Sequence, residues 1–126
     1  MPANSESAEW GIPACPTKAP IEERALIDIQ EARRIEVLFK ILANATRLRM
    51  LHALIREREM RVTELAEAIS MKPQAVSNQL QRLVDRGILG SRRDGNNIYY
   101  RIVDPCVISI LDHGLCLSEE ALRRTR

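Results

Sequence analysis

Aromatic side chains are scarce in this chain: 126 residues include one Trp, one Phe and two Tyr. A core without them must rest on Leu, Ile, Val and Ala, which favours helices over a large sheet. Cysteine is also sparse. Three thiols, an odd number without the density of a secreted disulfide scaffold, fit reduced thiols available for metal or redox chemistry better than a structural framework. No apolar run approaches the roughly 18 to 20 residues that span a bilayer, and no basic-then-apolar leader opens the sequence, so a cytoplasmic location without a membrane partner is expected. GxGxxG, P-loop, HExxH and GxSxG patterns are all missing, and with two histidines there is little from which to build a catalytic base. The sequence therefore predicts a protein that is not an enzyme.

What is present is local. The net charge is only +2, yet residues 1 to 40 carry seven acids against five bases, while residues 72 to 101 carry Lys72, Arg82, Arg86, Arg92, Arg93 and Arg101 against Asp85 and Asp94. A basic patch confined to one stretch is the electrostatic footprint of a nucleic-acid reader.

The length suits one domain with a tail. Residues 1–19, rich in Pro with Gly, Ser and Asn, read as a flexible N-terminal arm. Residues 20–120 read as the folded domain and 121–126 as a basic C-terminal tail. Pro20 suits a helix start, and the following IEERALIDIQEARRIEVLFKILAN places Ile35, Leu38, Phe39 and Leu42 at helical spacing. After a break near Asn44, Leu48, Leu51, Leu54 and Ile55 repeat the pattern. In RVTELAEAISMKPQAVSNQLQRLVDRGIL, Thr63 is the expected N-cap of a short helix carrying Leu65, Ala66 and Ile69. SMKP makes a turn, Pro73 opens a second helix striped by Val76, Leu80, Leu83 and Val84, and Gly87 closes it. Two short helices joined by a tight turn make a helix-turn-helix. Asp94-Gly95 between alternating segments then predicts a β-hairpin with Arg92 and Arg93 near its tip. A last helix starts at Asp104 and Pro105 and runs to about Glu120. The fold class is mainly α with a small β-hairpin, a winged helix-turn-helix.

If the Val76 stripe faces the core, the other side of that helix shows Gln74, Ser77, Asn78 and Arg82. Gln and Asn can pair bidentately with adenine, Arg with guanine, and Ser with base edges or phosphate. Lys72, Arg92 and Arg93 suit phosphate or minor-groove contacts that set register on double-stranded DNA. Taken singly, each of these polar residues also suits an ordinary solvated helix face. Their combination with turn, wing and local charge makes the case for DNA.

LANATRLRMLHAL, VTELAEAISMKPQAVSNQLQRLVDRGIL and RRDGNNIYYRIVD together resemble the ArsR/SmtB family of metal-sensing winged helix-turn-helix repressors, over about residues 35 to 120. The resemblance implies a homodimer joined through its N- and C-terminal helices, an inverted-repeat operator bound in the metal-free state, and release on metal binding. It also departs from the family. Where arsenic and lead sensors carry a cysteine pair, this chain has Arg61 and Thr63. Where zinc sensors carry Asp, His, His and Glu on the last helix, it has Asp104, Cys106, Leu117 and Glu120.

Sulfur is what remains. Cys106 and Cys116 are ten residues apart, about 15 Å along a helix, too far to share one ion within a chain. On a helical wheel Val107, Ile110, Leu111, Gly114 and Leu117 form the apolar stripe, with Cys106, Ser109, His113 and Cys116 on its flank. Antiparallel pairing of two such helices near Leu111 would bring Cys106 of one chain to Cys116 of its mate. Cys15 on the arm is a candidate third sulfur, and Asp104 and His113 are candidate lesser ligands. No obligatory cofactor is expected. Thiolates select soft ions as effector, with Hg(II) and As(III) favoured, then Cd(II) and Pb(II). The rival reading keeps the DNA binding and makes the cysteines a redox or reactive-sulfur sensor. The bland alternative is packing, since a cysteine beside an apolar stripe is ordinarily a small hydrophobe.

Overall fold

In the computed structural model, which describes residues 18–125, the helical part begins late. Ile21–Glu23 form a single 3-10 turn, and the first α-helix, α1, spans Ile29–Leu42. The helix start expected at Pro20 is corrected, and the reason is local. Asp28 accepts a hydrogen bond from the Glu31 backbone N–H at 2.8 Å, and the Glu31 carboxylate accepts one from the Asp28 N–H at 3.2 Å. This reciprocal capping box satisfies donors that a helix start leaves bare, and so it fixes the boundary.

Helix α2 spans Ala45–Glu57 and is capped by Asn44, whose side chain accepts from the Arg47 N–H at 3.0 Å. Arg58, at φ 73°, turns the chain into β1, Met60–Arg61, which pairs with Tyr100 and Tyr99. Helix α3, Val62–Ala68, follows at once. Thr63, the expected N-cap, therefore lies inside the first turn. Pairing holds the backbone extended through Arg61, whose own N–H donates to Glu64 Oε1 at 2.8 Å. That hydrogen bond holds the Glu64 carboxyl below its ordinary range.

Ser70, at φ 56°, makes the tight turn into α4, Pro73–Asp85, with Pro73 in its first turn. The end of α4 is a full Schellman motif. Gly87, at φ 75°, donates to Val84 O at 3.0 Å and Ile88 donates to Leu83 O at 3.0 Å. Strands β2, Leu89–Asp94, and β3, Asn97–Ile102, join through Gly95 and Asn96, with Gly95 at φ 65° in the first turn position. The sheet is antiparallel in the order β1-β3-β2, so the wing has one strand more than the sequence announced. Helix α5 spans Pro105–Arg124 and runs past the expected end near Glu120. ALRR has high helix propensity, and Glu120 pairs with Arg123 at 3.2 Å across one turn.

The core lies where α2, α3 and α4 meet the sheet. Met50, Leu51 and Leu54 of α2, Leu65 and Ala66 of α3, and Val76, Leu80 and Leu83 of α4 are buried with Ile88, Leu89, Tyr100, Ile102 and Val107. On α1 the expected stripe reaches this core only at Leu42, and Ile35, Leu38 and Phe39 stay exposed. Leu48 of α2 is likewise exposed, and the buried stripe of that helix is Met50, Leu51 and Leu54. Among the described residues no helix is long and apolar enough to cross a membrane.

Leu80→Ala is expected to cost about 2 to 5 kcal/mol, because the cavity it leaves at the helix junction cannot collapse fully. Gly87→Ala is expected to cost about 1 kcal/mol through its left-handed backbone alone. Urea unfolding of both variants checks the ranking, and a Leu80→Ala loss no larger than that of Gly87→Ala would contradict the packing described.

Candidate nucleic-acid interface and thiol helix

Burial of Val76, Leu80 and Leu83 at 0% exposure fixes the rotation of α4 and so decides which side chains face water. Gln74, Asn78 and Arg82 are exposed and Ser77 is half-buried, with Lys72 exposed at the N-cap. Gln74 Nε2 donates to Asn78 Oδ1 at 3.1 Å, an i,i+4 pair that holds the two amides together in one plane of approach. Arg82, about one turn further, lines an open cleft of about 370 Å³ with Ile41, Arg47, Leu83, Asp85 and Arg86.

Arg47 is a residue that sequence reasoning missed. Its Nε donates to Gln79 Oε1 on α4 at 2.7 Å, and its Nη1 donates to the Ile41 carbonyl at 2.9 Å. That carbonyl belongs to the last turn of α1, where helix carbonyls lack intrahelical partners. One half-buried guanidinium of α2 thus bolts the end of α1 to α4. No periodicity in the sequence marks it, because the bonds run to a side chain 32 positions away and to a backbone atom.

The two wing arginines are adjacent in β2 and so point to opposite faces of the sheet. Arg92 Nε donates to Glu59 Oε2 at 3.0 Å, its Nη2 donates to Glu59 Oε1, and its guanidinium lies 4.5 Å from the Tyr99 ring centroid. The hydrogen bond from Arg92 holds the Glu59 carboxyl below its ordinary range, so the pair is charged at neutral pH. Arg93 is exposed and makes no ion pair among the described residues.

The thiols lie on α5. Asp104 caps the helix, accepting from the Cys106 N–H at 2.9 Å, so one carboxylate oxygen is already engaged. Cys106 is half-buried, while His113 and Cys116 are exposed. Val107 is buried and Ile108, Ile110 and Leu111 pack against the core, but Gly114, Leu115, Leu117 and Leu122 are exposed. The expected stripe therefore packs on its own protomer only over the first half of the helix. Among the described residues no three His, Cys, Asp or Glu side chains of one protomer converge into a group able to hold an ion. Cys15 lies outside the described residues.

A family profile described as a helix-turn-helix domain matches residues 42–92. The crystal structure of the AntR antimony-specific transcriptional repressor is similar to this chain with a TM-score of 0.75 and 61% identity, covering 87% of this chain and 99% of that one. The arsenic resistance transcriptional regulator of Pseudomonas putida is 37% identical over 95 residues, 69% of this chain and 74% of its own length. The homodimeric winged helix-turn-helix domain of a possible ArsR-family regulator from Mycobacterium bovis has a TM-score of 0.66 at 29% identity, covering 80% and 95%. With the helix-turn-helix, the wing and these relatives together, the chain belongs to the ArsR/SmtB family of winged helix-turn-helix transcriptional repressors, which bind DNA and are not enzymes.

Proposed function

We propose that this protein is a dimeric repressor that holds an inverted-repeat operator when free of metal and releases it when thiols of α5 bind a soft trivalent ion, Sb(III) or As(III). The observation that carries the reading is the placement of Cys106 and Cys116 on one continuous helix, about 15 Å apart, with only one half of that helix packed on its own protomer. The relative at 61% identity is antimony-specific, and the Pseudomonas putida relative is an arsenic resistance regulator. Both ions are thiophilic; softness alone favours Hg(II) equally, and it is these relatives that put Sb(III) and As(III) ahead of it, with Cd(II) and Pb(II) after.

Dimerisation is supported by what each protomer leaves uncovered. Phe39 of α1 is 50% exposed and Leu117 of α5 is 64% exposed, with Ile35, Val37, Leu38, Leu115 and Leu122 exposed around them. Burying a Leu or Phe side chain is worth about 1.5 to 3 kcal/mol, so helices left this uncovered call for a partner. Antiparallel pairing of two α5 helices near Leu111 brings Cys106 of one protomer close to Cys116 of the partner subunit. Cys15 completes a three-sulfur set suited to a trivalent ion. His113 is a spare nitrogen donor, and Asp104 is the weaker candidate because capping already occupies it.

The DNA side follows from the face of α4. Gln74 and Asn78 suit adenine, Arg82 suits guanine, Ser77 suits either base edges or phosphate, and Lys72 and the wing suit the backbone. A two-fold dimer sets its recognition helices about 34 Å apart, and the operator inherits that symmetry. Thiols must lose protons to bind the ion, so ion affinity falls as pH is lowered. Binding that favours another relation of the two protomers lowers operator affinity by the coupling free energy, about 1 to 3 kcal/mol or 5- to 150-fold.

Operator release is measured by fluorescence anisotropy on a duplex enriched from a randomised library with this protein. Antimonyl tartrate and arsenite are expected to weaken binding at least fivefold. Cys106→Ser and Cys116→Ser are expected to keep metal-free affinity and lose the response, and full response in both variants would rule out the α5 site. Release by peroxide but not by Sb(III) or As(III) would favour the thiol-redox reading instead.

Asn78→Ala is expected to reduce affinity for the enriched duplex by about 1 to 3 kcal/mol and to relax preference at one base position, with little change on random duplex. A uniform loss on both duplexes would move Asn78 from base reading to backbone contact.

A further inference from the structure

We infer that the two neighbouring wing arginines have separate tasks: Arg93 is the phosphate contact, while Arg92, strapped to Glu59, is a positioning residue that sets the angle of the wing. The inference needs only the DNA binding of the family and is independent of the effector.

The register assigns the faces. Leu89 pairs with Ile102, and both are buried, so the face of β2 and β3 that carries them is the core face. Alternation then places Ser91 and Arg93 on that face, with cross-strand partners Tyr100 and Ile98. Tyr100 is still buried, whereas Ile98 and Arg93 project beyond the end of the core. Arg93 therefore leaves the sheet on the side that also carries α4. Arg92, opposite Tyr99, leaves on the outer face with Arg101 and with Arg61 of β1.

On that outer face Glu59 and Arg92 act across the whole sheet. The strand order is β1-β3-β2, and Glu59 directly precedes β1 while Arg92 is in β2. Their ion pair spans the middle strand over the Tyr99 ring, which supports the guanidinium from below at 4.5 Å. Strand β1 is only two residues long: it pairs with β3 at Tyr99 and Tyr100, and towards the tip the Arg61 side chain reaches Asn97, its Nη1 donating to Asn97 Oδ1 at 3.4 Å. The Glu59 strap ties β2, with which β1 does not pair, to the β1 side of the sheet at the level of Tyr99. Its geometry needs a planar two-pronged donor that also stacks, which arginine has and lysine lacks. To reach a phosphate, Arg92 would have to leave a carboxylate and a ring together. Arg93 has neither to leave.

The salt dependence of operator affinity separates the tasks, because each phosphate contact contributes about 0.9 to the slope of log K against log salt. On the library-enriched duplex, Arg93→Ala is expected to lower the slope by about that amount for each wing engaged. Arg92→Ala is expected to leave the slope unchanged, to reduce affinity at every salt concentration, and to speed amide exchange at Gly95, Asn96 and Asn97 while protection in α4 is kept. Arg92→Lys, which keeps the charge, and Glu59→Gln, which removes the strap, are expected to behave like Arg92→Ala. A slope that falls in Arg92→Ala and is restored in Arg92→Lys overturns the assignment of Arg92. A slope that stays put in Arg93→Ala overturns that of Arg93, and tighter binding by Glu59→Gln shows that Glu59 withholds Arg92 from DNA.

Discussion

The apolar contact of α4 with α2, α3 and the sheet is the constraint on which the rest depends. Val76, Leu80 and Leu83 are wholly removed from water, and interiors packed at crystal-like density leave a helix little freedom to rotate. Once that stripe is seated, the positions of Gln74, Asn78 and Arg82 on the open side are no longer independent choices. The Schellman end at Gly87 and the capped entry of α2 at Asn44 then set where the helices stop, so the recognition face is held at its edges as well as from beneath. The exposed face of α4 is thus set by the core as much as by the surface.

How much of this could be read in the sequence depends on the range of the interaction concerned. The Val76 to Leu83 stripe, Pro73 at the helix start and Gly87 beyond its end are written in spacings of a few residues, and they appear where the spacing puts them. The start of α1 is equally local: D-x-x-E at Asp28 and Glu31 is a capping-box pattern, outweighed in the sequence by the more conspicuous Pro20. Met60–Arg61 as a third strand is not legible, because a two-residue strand exists only through its pairing with Tyr99 and Tyr100. Arg47 and Glu59 escape for the same reason. Their partners Gln79 and Arg92 are 32 and 33 positions away, and no periodicity connects them.

The apolar patterns of α1 and α5 pose a different problem. Both helices show clear stripes, yet Ile35, Leu38, Phe39 and Leu117 remain exposed in the folded protomer. An amphipathic stripe tells that a helix face must be buried and not against which chain. Read as core, these stripes predict contacts that one protomer does not make. Uncovered stripes of this kind mark surfaces that a partner could share.

These two levels meet at Arg47. The helices that leave apolar surface uncovered, α1 and α5, are separate from α4, and the contacts that join α1 to it lie inside the protomer. The guanidinium that holds both the Ile41 carbonyl and Gln79 is one such contact, joining the last turn of α1 to the residue next to Asn78. It is half-buried, with hydrogen bonds to two neutral oxygens. A link of that kind keeps its geometry while α1 shifts as a rigid body, and α4 must then follow or the bonds must break. Salt can weaken the contacts to phosphate, but it screens this short, partly buried join far less. The join between α4 and the end of α1 is thus less sensitive to ionic strength than a contact between exposed charges.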